Sequence, residues 1–93
     1  MKKARARHIL VDFKGECEKL KSQIKDGADF AKTAGEFSKC PSGKEGGDLG
    51  EFTPGQMVAE FDKVVFNAEV GQVHGPVKTD FGYHLIEITS RTE

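Results

Sequence analysis

Two histidines and one cysteine are the side chains in this sequence best suited to chemistry. His8 and His84 each alternate with aliphatic residues, so each is expected to project from a strand toward an apolar face. A single histidine on such a face is usually a satisfied core residue. If the two strands pair, however, two neutral imidazoles can satisfy each other, because one ring donates an N–H and the other accepts it. Cys40 precedes Pro41 in a glycine-rich segment and is a candidate thiol nucleophile, as the combination of Cys and His suggests.

A zinc site and a protease-type nucleophile have less support for these three side chains. A zinc site requires three or four ligands, and the chain has no C-x-x-C or H-x-x-x-H element. No nucleophile elbow of the protease or glutaminase type surrounds Cys40. We therefore predict a buried imidazole pair, a nearby cysteine whose polarity a histidine can tune, and no metal ion.

A flexible segment leads directly into a pair of large apolar side chains. Gly46, Gly47 and Gly50 come shortly before Met57 and Phe61. We predict that the Met and the Phe lie one turn apart on one helix face, where they are either ordinary core residues or the floor of a groove. Met suits a surface that accepts varied ligands. The glycines would let the groove wall adapt, or would serve only to form turns with positive φ.

The strands that must position these residues lie toward the two ends of the chain. Residues 4–13 alternate, and residues 77–79 and 83–89 form two further strands joined by a tight turn at 80–82. One face of the first strand carries Ala4, Ala6, His8 and Leu10, the other carries Arg5, Arg7, Ile9 and Val11, and one face of the last strand carries His84, Ile86 and Ile88. Terminal strands of a small domain are natural sheet neighbours, which would bring the two histidines together.

Three helices are predicted between these strands. They cover residues 16–27, 28–39 and 55–66, where apolar residues recur at helical spacing. Pro41 is expected to nucleate a short helical turn, residues 51–53 to form a very short strand, and residues 67–76 to form a loop. Strands at both ends with helices between them indicate an α+β fold with an antiparallel sheet.

The composition describes a single small domain with a mixed surface. The chain has 93 residues, a net charge of −1 and 31% charged residues, which leaves little room for a second core and excludes a strongly basic nucleic-acid binder. The basic run at residues 2–7 is expected to be a solvated terminus or an edge strand. No apolar run has the length of a signal-peptide core or a transmembrane helix. We therefore expect a cytoplasmic location, reduced cysteines and no membrane contact.

Several motifs, taken in order and spacing, resemble the parvulins, a family of peptidyl-prolyl cis/trans isomerases. They are HILV at 8–11, GGDLGEF at 46–52, GQMV at 55–58 followed by Phe61, and GPV-x-T-x-FGYH at 75–84. The resemblance spans residues 8–88 and is greatest to the small single-domain bacterial parvulins. It implies a single domain over residues 1–93 with an FKBP-like α+β fold. That fold has a four-stranded antiparallel sheet, about four helices and a substrate groove on one side of the sheet.

The resemblance also implies roles for individual residues. His8 and His84 match the family's paired histidines beneath the groove, Cys40 matches an active-site cysteine or aspartate, and Thr79 matches a threonine that bonds near the pair. The positions matched to substrate binding are Leu49, Met57 and Phe61 around the proline ring, Gln56 as a polar groove residue, and Phe81 on the rim. No cofactor is implied.

Two departures from the family pattern concern specificity. The branch that reads a phosphorylated residue before proline has a long loop rich in Arg and Lys after the first strand, whereas this chain has only VDFKGECEK there. Phe81 also replaces a serine common in that branch. The resemblance therefore implies a monomeric isomerase for Pro-containing peptides and unfolded proteins that needs no phosphoserine or phosphothreonine, and Phe81 favours an apolar residue before the proline.

Two other functions remain open. A chaperone-like module could bind extended Pro-containing segments without isomerising them, and a Cys/His module could bind zinc or act in redox chemistry. The presence of the complete set of histidines, cysteine and apolar groove residues favours the enzyme.

Overall fold

Residues 2–92, the part of the chain that the computed structural model describes, form four strands, three α-helices and one 3₁₀ helix. In chain order these are β1 (Lys3–Val11), α1 (Lys14–Lys25), α2 (Phe30–Phe37), the 3₁₀ helix (Pro41–Glu45), β2 (Asp48–Phe52), α3 (Ala59–Val65), β3 (Val73–Thr79) and β4 (Gly82–Thr92). The predicted α+β class is confirmed, and the expected four helices are three α-helices and the 3₁₀ helix.

The sheet is antiparallel throughout, with the strand order β2-β1-β4-β3. The first and last strands are therefore neighbours at its centre, as predicted. Along this pair Lys3 lies opposite Thr92, His8 opposite Ile86, and Leu10 opposite His84. The two histidines are thus diagonal neighbours on one face of the sheet, close enough for their rings to interact.

Each face of the sheet has its own hydrophobic core, because residues of β1 and β4 alternate between the two faces. The face covered by α3 buries Ala4, Ala6, Phe52, Phe61, Val65, Ile86 and Ile88. The face covered by α1 and α2 buries Ile9, Val11, Cys17, Leu20, Phe30, Ala34 and Leu85. The predicted alternation of the first strand and of residues 84–88 is confirmed, and it places the histidines on the α3 side.

The helix ends follow local signals in the sequence. Asp29 caps α2 by accepting a hydrogen bond from the backbone N–H of Ala31, and Pro41 begins the 3₁₀ helix. Phe37, the last residue of α2, is 44% exposed. None of the helices within residues 2–92 combines the length and the apolarity that crossing a bilayer requires.

Three predicted boundaries near the site are wrong. Helix α3 begins at Ala59 rather than residue 55, so Met57 lies outside the helix that carries Phe61. Strand β3 begins at Val73 rather than residue 77, because its register against β4 shifts between His74 and Val77 and hides the alternation in the sequence. Strand β2 likewise starts earlier than predicted, at Asp48.

The basic side chains of β1 lie beside carboxylates of the neighbouring strands. Arg5 pairs with Asp48 of β2 at 3.1 Å, and Arg7 pairs with Glu87 of β4. The guanidinium of Arg7 also lies over the ring of Phe30, 4.8 Å from its centroid. The expectation that the basic run forms an edge strand is wrong, because β1 lies between β2 and β4 in the sheet.

Candidate active site

A cavity of about 470 Å³ opens on the α3 side of the sheet. It is lined mainly by apolar side chains, with the two imidazoles and the thiol among them. The lining residues are His8, Leu10, Lys39, Cys40, Pro41, Leu49, Met57, Val58, Phe61, Phe81 and His84. Seven of the nine predicted site residues therefore converge on one cavity, and Thr79 and Gln56 do not line it.

The two histidines form a hydrogen-bonded pair beneath the cavity. Their Nδ1 atoms are 3.0 Å apart, and their rings are stacked with an interplanar angle of 14°. His8 is 6% exposed and His84 is 4% exposed. A hydrogen bond between two nitrogens needs one donor and one acceptor, so at least one of the two Nδ1 atoms carries no hydrogen.

Polar side chains extend this pair in both directions. Beyond His84, its Nε2 lies 2.7 Å from Oγ1 of Thr79, which also accepts a hydrogen bond from the backbone N–H of Phe81 at 3.2 Å. Beyond His8, its Nε2 lies 3.2 Å from Oγ of Ser42. The Ser42 hydroxyl in turn lies 3.3 Å from Sγ of Cys40. Thr79 is thus behind the pair, as a residue that holds His84 in place, and one continuous chain of hydrogen bonds leads from β3 to the cysteine.

Burial keeps the pair uncharged at neutral pH. Loss of hydration on burial and, to a smaller extent, repulsion from His84 together lower the pKa of His8 from 6.5 to about 4. Burial also lowers the pKa of His84, while the nearby carboxylate of Glu60 acts in the opposite direction. Two neutral rings are well suited to an apolar floor, because neither introduces a charge beneath the cavity.

Phe61 packs against the pair on the α3 side of the sheet and forms one wall of the cavity. Its ring meets those of His8 and His84 edge to face, with centroids 5.7 Å and 6.0 Å away and interplanar angles of 83°. Leu49 and Met57 pack against the same cluster and are half-buried. At the mouth of the cavity Phe81 is 67% exposed.

The turn before α3 holds Met57 against the cavity. The backbone N–H of Gly55 donates to Oδ2 of Asp62 at 2.6 Å, and Oε1 of Gln56 accepts from the backbone N–H of Thr53 at 2.7 Å. Gln56 was expected to face the groove, but its side-chain oxygen closes this turn instead. The turn also explains why α3 starts later than predicted. Here backbone N–H groups donate to the side chains of Gln56 and Asp62 instead of to helical carbonyls.

Gly47 shows what the glycine-rich segment requires near the site. Its carbonyl accepts a hydrogen bond from the backbone N–H of His8 at 3.0 Å. With a φ of +83°, a Cβ at this position would lie only 2.3 Å from the carbonyl oxygen of His8. Gly46 and Gly50 also have positive φ. The turn-forming explanation of the glycines therefore has direct support at this position.

Two residues that shape the site were not predicted. Ser42 is 34 residues from its partner His8 in the chain, and no spacing rule links them. Asp62 lies seven residues after Gly55, from whose backbone N–H it accepts a hydrogen bond, and its buried Oδ1 has no hydrogen-bond partner among residues 2–92. Within residues 2–92 no group of three or more His, Cys, Asp and Glu side chains is arranged to hold a metal ion.

Comparisons with known proteins agree on one family. The family model described as the PPIC-type PPIase domain, of the rotamase class, matches residues 4–90. The chain is 49% identical to the foldase protein PrsA of Geobacillus sp. strain WCH70 over 92 residues, which is 98% of this chain and 33% of the foldase.

Solved structures show the same relationship. The crystal structure of the peptidylprolyl isomerase PrsA from Bacillus anthracis superposes with a TM-score of 0.95 at 34% identity, covering 99% of this chain and 43% of that one. The solution structure of NmPin, the parvulin of Nitrosopumilus maritimus, has a TM-score of 0.87 at 38% identity, covering 97% of this chain and 98% of that one. The chain thus spans about a third of the length of the curated relatives that it matches and nearly all of a small parvulin.

Proposed function

The chain belongs to the PPIC-type family of peptidyl-prolyl cis/trans isomerases, the parvulins, and from this premise we propose how and on what it acts. It accelerates rotation about Xaa-Pro bonds in peptides and unfolded proteins. It does so without a covalent intermediate, in the cavity above the histidine pair, and it needs no phosphorylated residue before the proline. The observation that carries this proposal is the convergence of His8, His84 and Cys40 with Leu49, Met57 and Phe61 around one apolar cavity.

The barrier to this reaction is the lost resonance of the amide. In the planar bond the nitrogen lone pair is delocalised onto oxygen, which makes the group strongly polar and well hydrated. In the twisted transition state the delocalisation is lost and the group is less polar. An apolar, largely dry cavity therefore disfavours the planar forms more than the twisted one, which lowers the barrier between them.

The required stabilisation is modest. The uncatalysed reaction takes about 10–100 s with an activation energy of ~20 kcal/mol. An acceleration of about 10³–10⁵ corresponds to only ~4–7 kcal/mol. In the proposed pose the proline ring is held among Leu49, Met57 and Phe61 while the preceding carbonyl rotates on the side of Cys40. Neutral imidazoles below the ring hold the thiol and the wall in place without adding a charge that would favour the polar planar amide.

The charges around the cavity support a substrate without phosphate. Among the lining residues from the described part of the chain, Lys39 is the one permanently cationic side chain, and its Nζ lies 3.2 Å from the carboxylate of Asp12. A phosphate group would meet this neutralised pair rather than a basic cluster. The connection between β1 and α1 consists of two residues only, so there is no room for a basic loop.

Exchange spectroscopy by NMR tests the proposed activity directly. A peptide of the type Ala-Leu-Pro-Phe exchanges too slowly to show cis-trans cross-peaks alone. A catalytic amount of the protein should produce them. Matched peptides with phosphoserine, serine or leucine before the proline then test specificity, and we expect the leucine peptide to be the best. Absence of cross-peaks with all three peptides would refute the proposed activity.

The second candidate, a chaperone-like binder, draws support from the name foldase given to the PrsA relatives. The same cavity would then hold a Pro-containing segment without speeding its exchange. In the NMR experiment such a module shifts or broadens the peptide signals but produces no exchange cross-peaks. The two functions are therefore distinguished in one sample.

A monomeric state and a cytoplasmic location are further proposals that rest on the sequence alone. Light scattering coupled to size-exclusion chromatography tests the first, and fractionation of the source cells tests the second.

A further inference from the structure

The hydrogen bonds around the histidine pair form a single chain of five links. It runs from the backbone N–H of Phe81 through Thr79, His84, His8 and Ser42 to Sγ of Cys40, with donor–acceptor distances from 2.7 to 3.3 Å. Every link needs one hydrogen, and each neutral imidazole carries only one. Once one ring nitrogen is known to carry the hydrogen, the donor and the acceptor in both hydrogen bonds of that ring are therefore fixed.

The direction of the chain is set at Thr79. The backbone N–H of Phe81 can only donate, so it occupies one lone pair of the Thr79 hydroxyl oxygen. Within residues 2–92 this hydroxyl has a single further partner, Nε2 of His84. If Nε2 carried the hydrogen, the Thr79 O–H would be a buried donor without an acceptor, which folded proteins rarely contain. The Thr79 hydroxyl therefore donates and Nε2 of His84 accepts.

The remaining links follow in order. With its Nε2 bare, neutral His84 carries its hydrogen on Nδ1 and donates to Nδ1 of His8. His8 then carries its hydrogen on Nε2 and donates to Oγ of Ser42. The Ser42 hydroxyl is left to donate to Sγ of Cys40. In the opposite direction the thiol hydrogen would be used up in a bond to Ser42, and the buried Thr79 hydroxyl would lose its acceptor.

We propose that Ser42 is a positioning residue that frees the Cys40 thiol hydrogen to point into the groove. Because Sγ accepts the hydrogen bond from Ser42, the S–H is not part of the chain. Cys40 lines the cavity, so this hydrogen can be donated to the proline nitrogen, whose lone pair becomes available only as the amide twists. The histidine pair thus transmits a hydrogen-bond direction set by a backbone amide of the β3–β4 turn to a side chain of the groove, and no proton is transferred.

The two tautomers can be observed without substrate. Long-range 1H–15N correlation spectra at pH 7.5 distinguish the protonated from the bare nitrogen in each ring. We expect His8 to be protonated at Nε2 and His84 at Nδ1, and any other assignment overturns the proposal. His74, whose ring bonds to the carbonyl of Glu69, serves as an internal reference outside the chain.

The role of Ser42 is tested by a double-mutant cycle with Cys40. Ser42→Ala should lower kcat about fivefold to tenfold, the value expected for one lost hydrogen bond, and Ser42→Thr should restore most of it. In a Cys40→Ala background Ser42→Ala should have no further effect on kcat. An equal loss in both backgrounds would show that Ser42 does not act through Cys40 and would overturn the proposal.

The catalytic part of this inference rests on the isomerase activity proposed above, whereas the tautomers do not. If the protein lacks activity but shows the expected tautomers, the proposed function fails and the hydrogen-bond direction stands. If it is active with the opposite tautomers, only this inference fails. Should Ser42→Ala not fold, the spectra of the unmodified protein still decide.

Discussion

Mild acid should destabilise this protein because its histidine pair is buried without charge. The pKa of His8 is lowered from 6.5 to about 4 in the folded state. Between these two values the unfolded chain binds a proton at this position and the folded chain does not, so stability falls as the pH falls. The full contribution is present above pH 6.5 and is lost progressively down to about pH 4. The lowered pKa of His84 acts in the same direction.

The size of the effect follows from the shift at His8. At about 1.4 kcal/mol per pKa unit, lowering the pKa from 6.5 to about 4 corresponds to about 3 kcal/mol in total. About 2 kcal/mol of this should be lost between pH 7 and pH 5, before most carboxylates titrate. A domain of this size is expected to have a total stability of about 5–10 kcal/mol, so the loss is a large fraction of the whole.

Urea unfolding followed by circular dichroism measures this loss. The free energy of unfolding is determined at pH 7, 6 and 5, with a constant m-value as the check that the folded and unfolded states are unchanged. His8→Gln removes the titrating group, so its stability should vary much less over this range even though it starts lower. His74→Gln, outside the pair, should keep the pH dependence of the unmodified protein. Equal pH dependence in the unmodified protein and His8→Gln would refute the reasoning.

Four further results are expected. Cys40→Asp should retain kcat/KM within about tenfold of the unmodified protein, because no covalent bond to Cys40 is proposed; an inactive but folded variant would restore the covalent mechanism. Phe81→Ala should change the unfolding free energy by less than about 0.5 kcal/mol, yet reduce the preference for Leu over Ala before proline in peptide assays. Gly47→Ala should destabilise by about 3 kcal/mol or more in urea unfolding, because its Cβ would overlap the His8 carbonyl. Asp62→Ala should raise KM about fivefold with little change in kcat by loosening the turn that holds Gly55, and Asp62→Asn, which can still accept that hydrogen bond, should not.

The sequence predicts the position of the histidine pair well, because that position depends on strand alternation and on the pairing of the first and last strands. Period-two alternation places His8 and His84 on definite strand faces, and the pairing of terminal strands brings those faces together. The family resemblance was then confirmed by the family model, and with it the isomerase class. The diagonal placement of the rings depends on a register shift between Arg5 and Ala6, for which the sequence has no marker.

The parts of the site that were missed depend on contacts between distant side chains. Met57 follows a helical pattern in the sequence, but the hydrogen bonds of Gln56 and Asp62 hold it in a turn outside the helix. Ser42 was passed over because its partner His8 lies far away in the chain. Such contacts become visible only when three-dimensional packing is known, since neither period nor local propensity encodes them.

The pairing of β1 with β4 has a consequence for synthesis and for domain architecture. Half of the imidazole pair belongs to the first strand and half to the last, so on the ribosome the groove cannot assemble until β4 has emerged. Lys3 and Thr92 face each other across the same ladder. The chain therefore enters and leaves this domain at neighbouring positions. Such a domain can be inserted into a surface loop of a larger protein without moving apart the two ends of that loop.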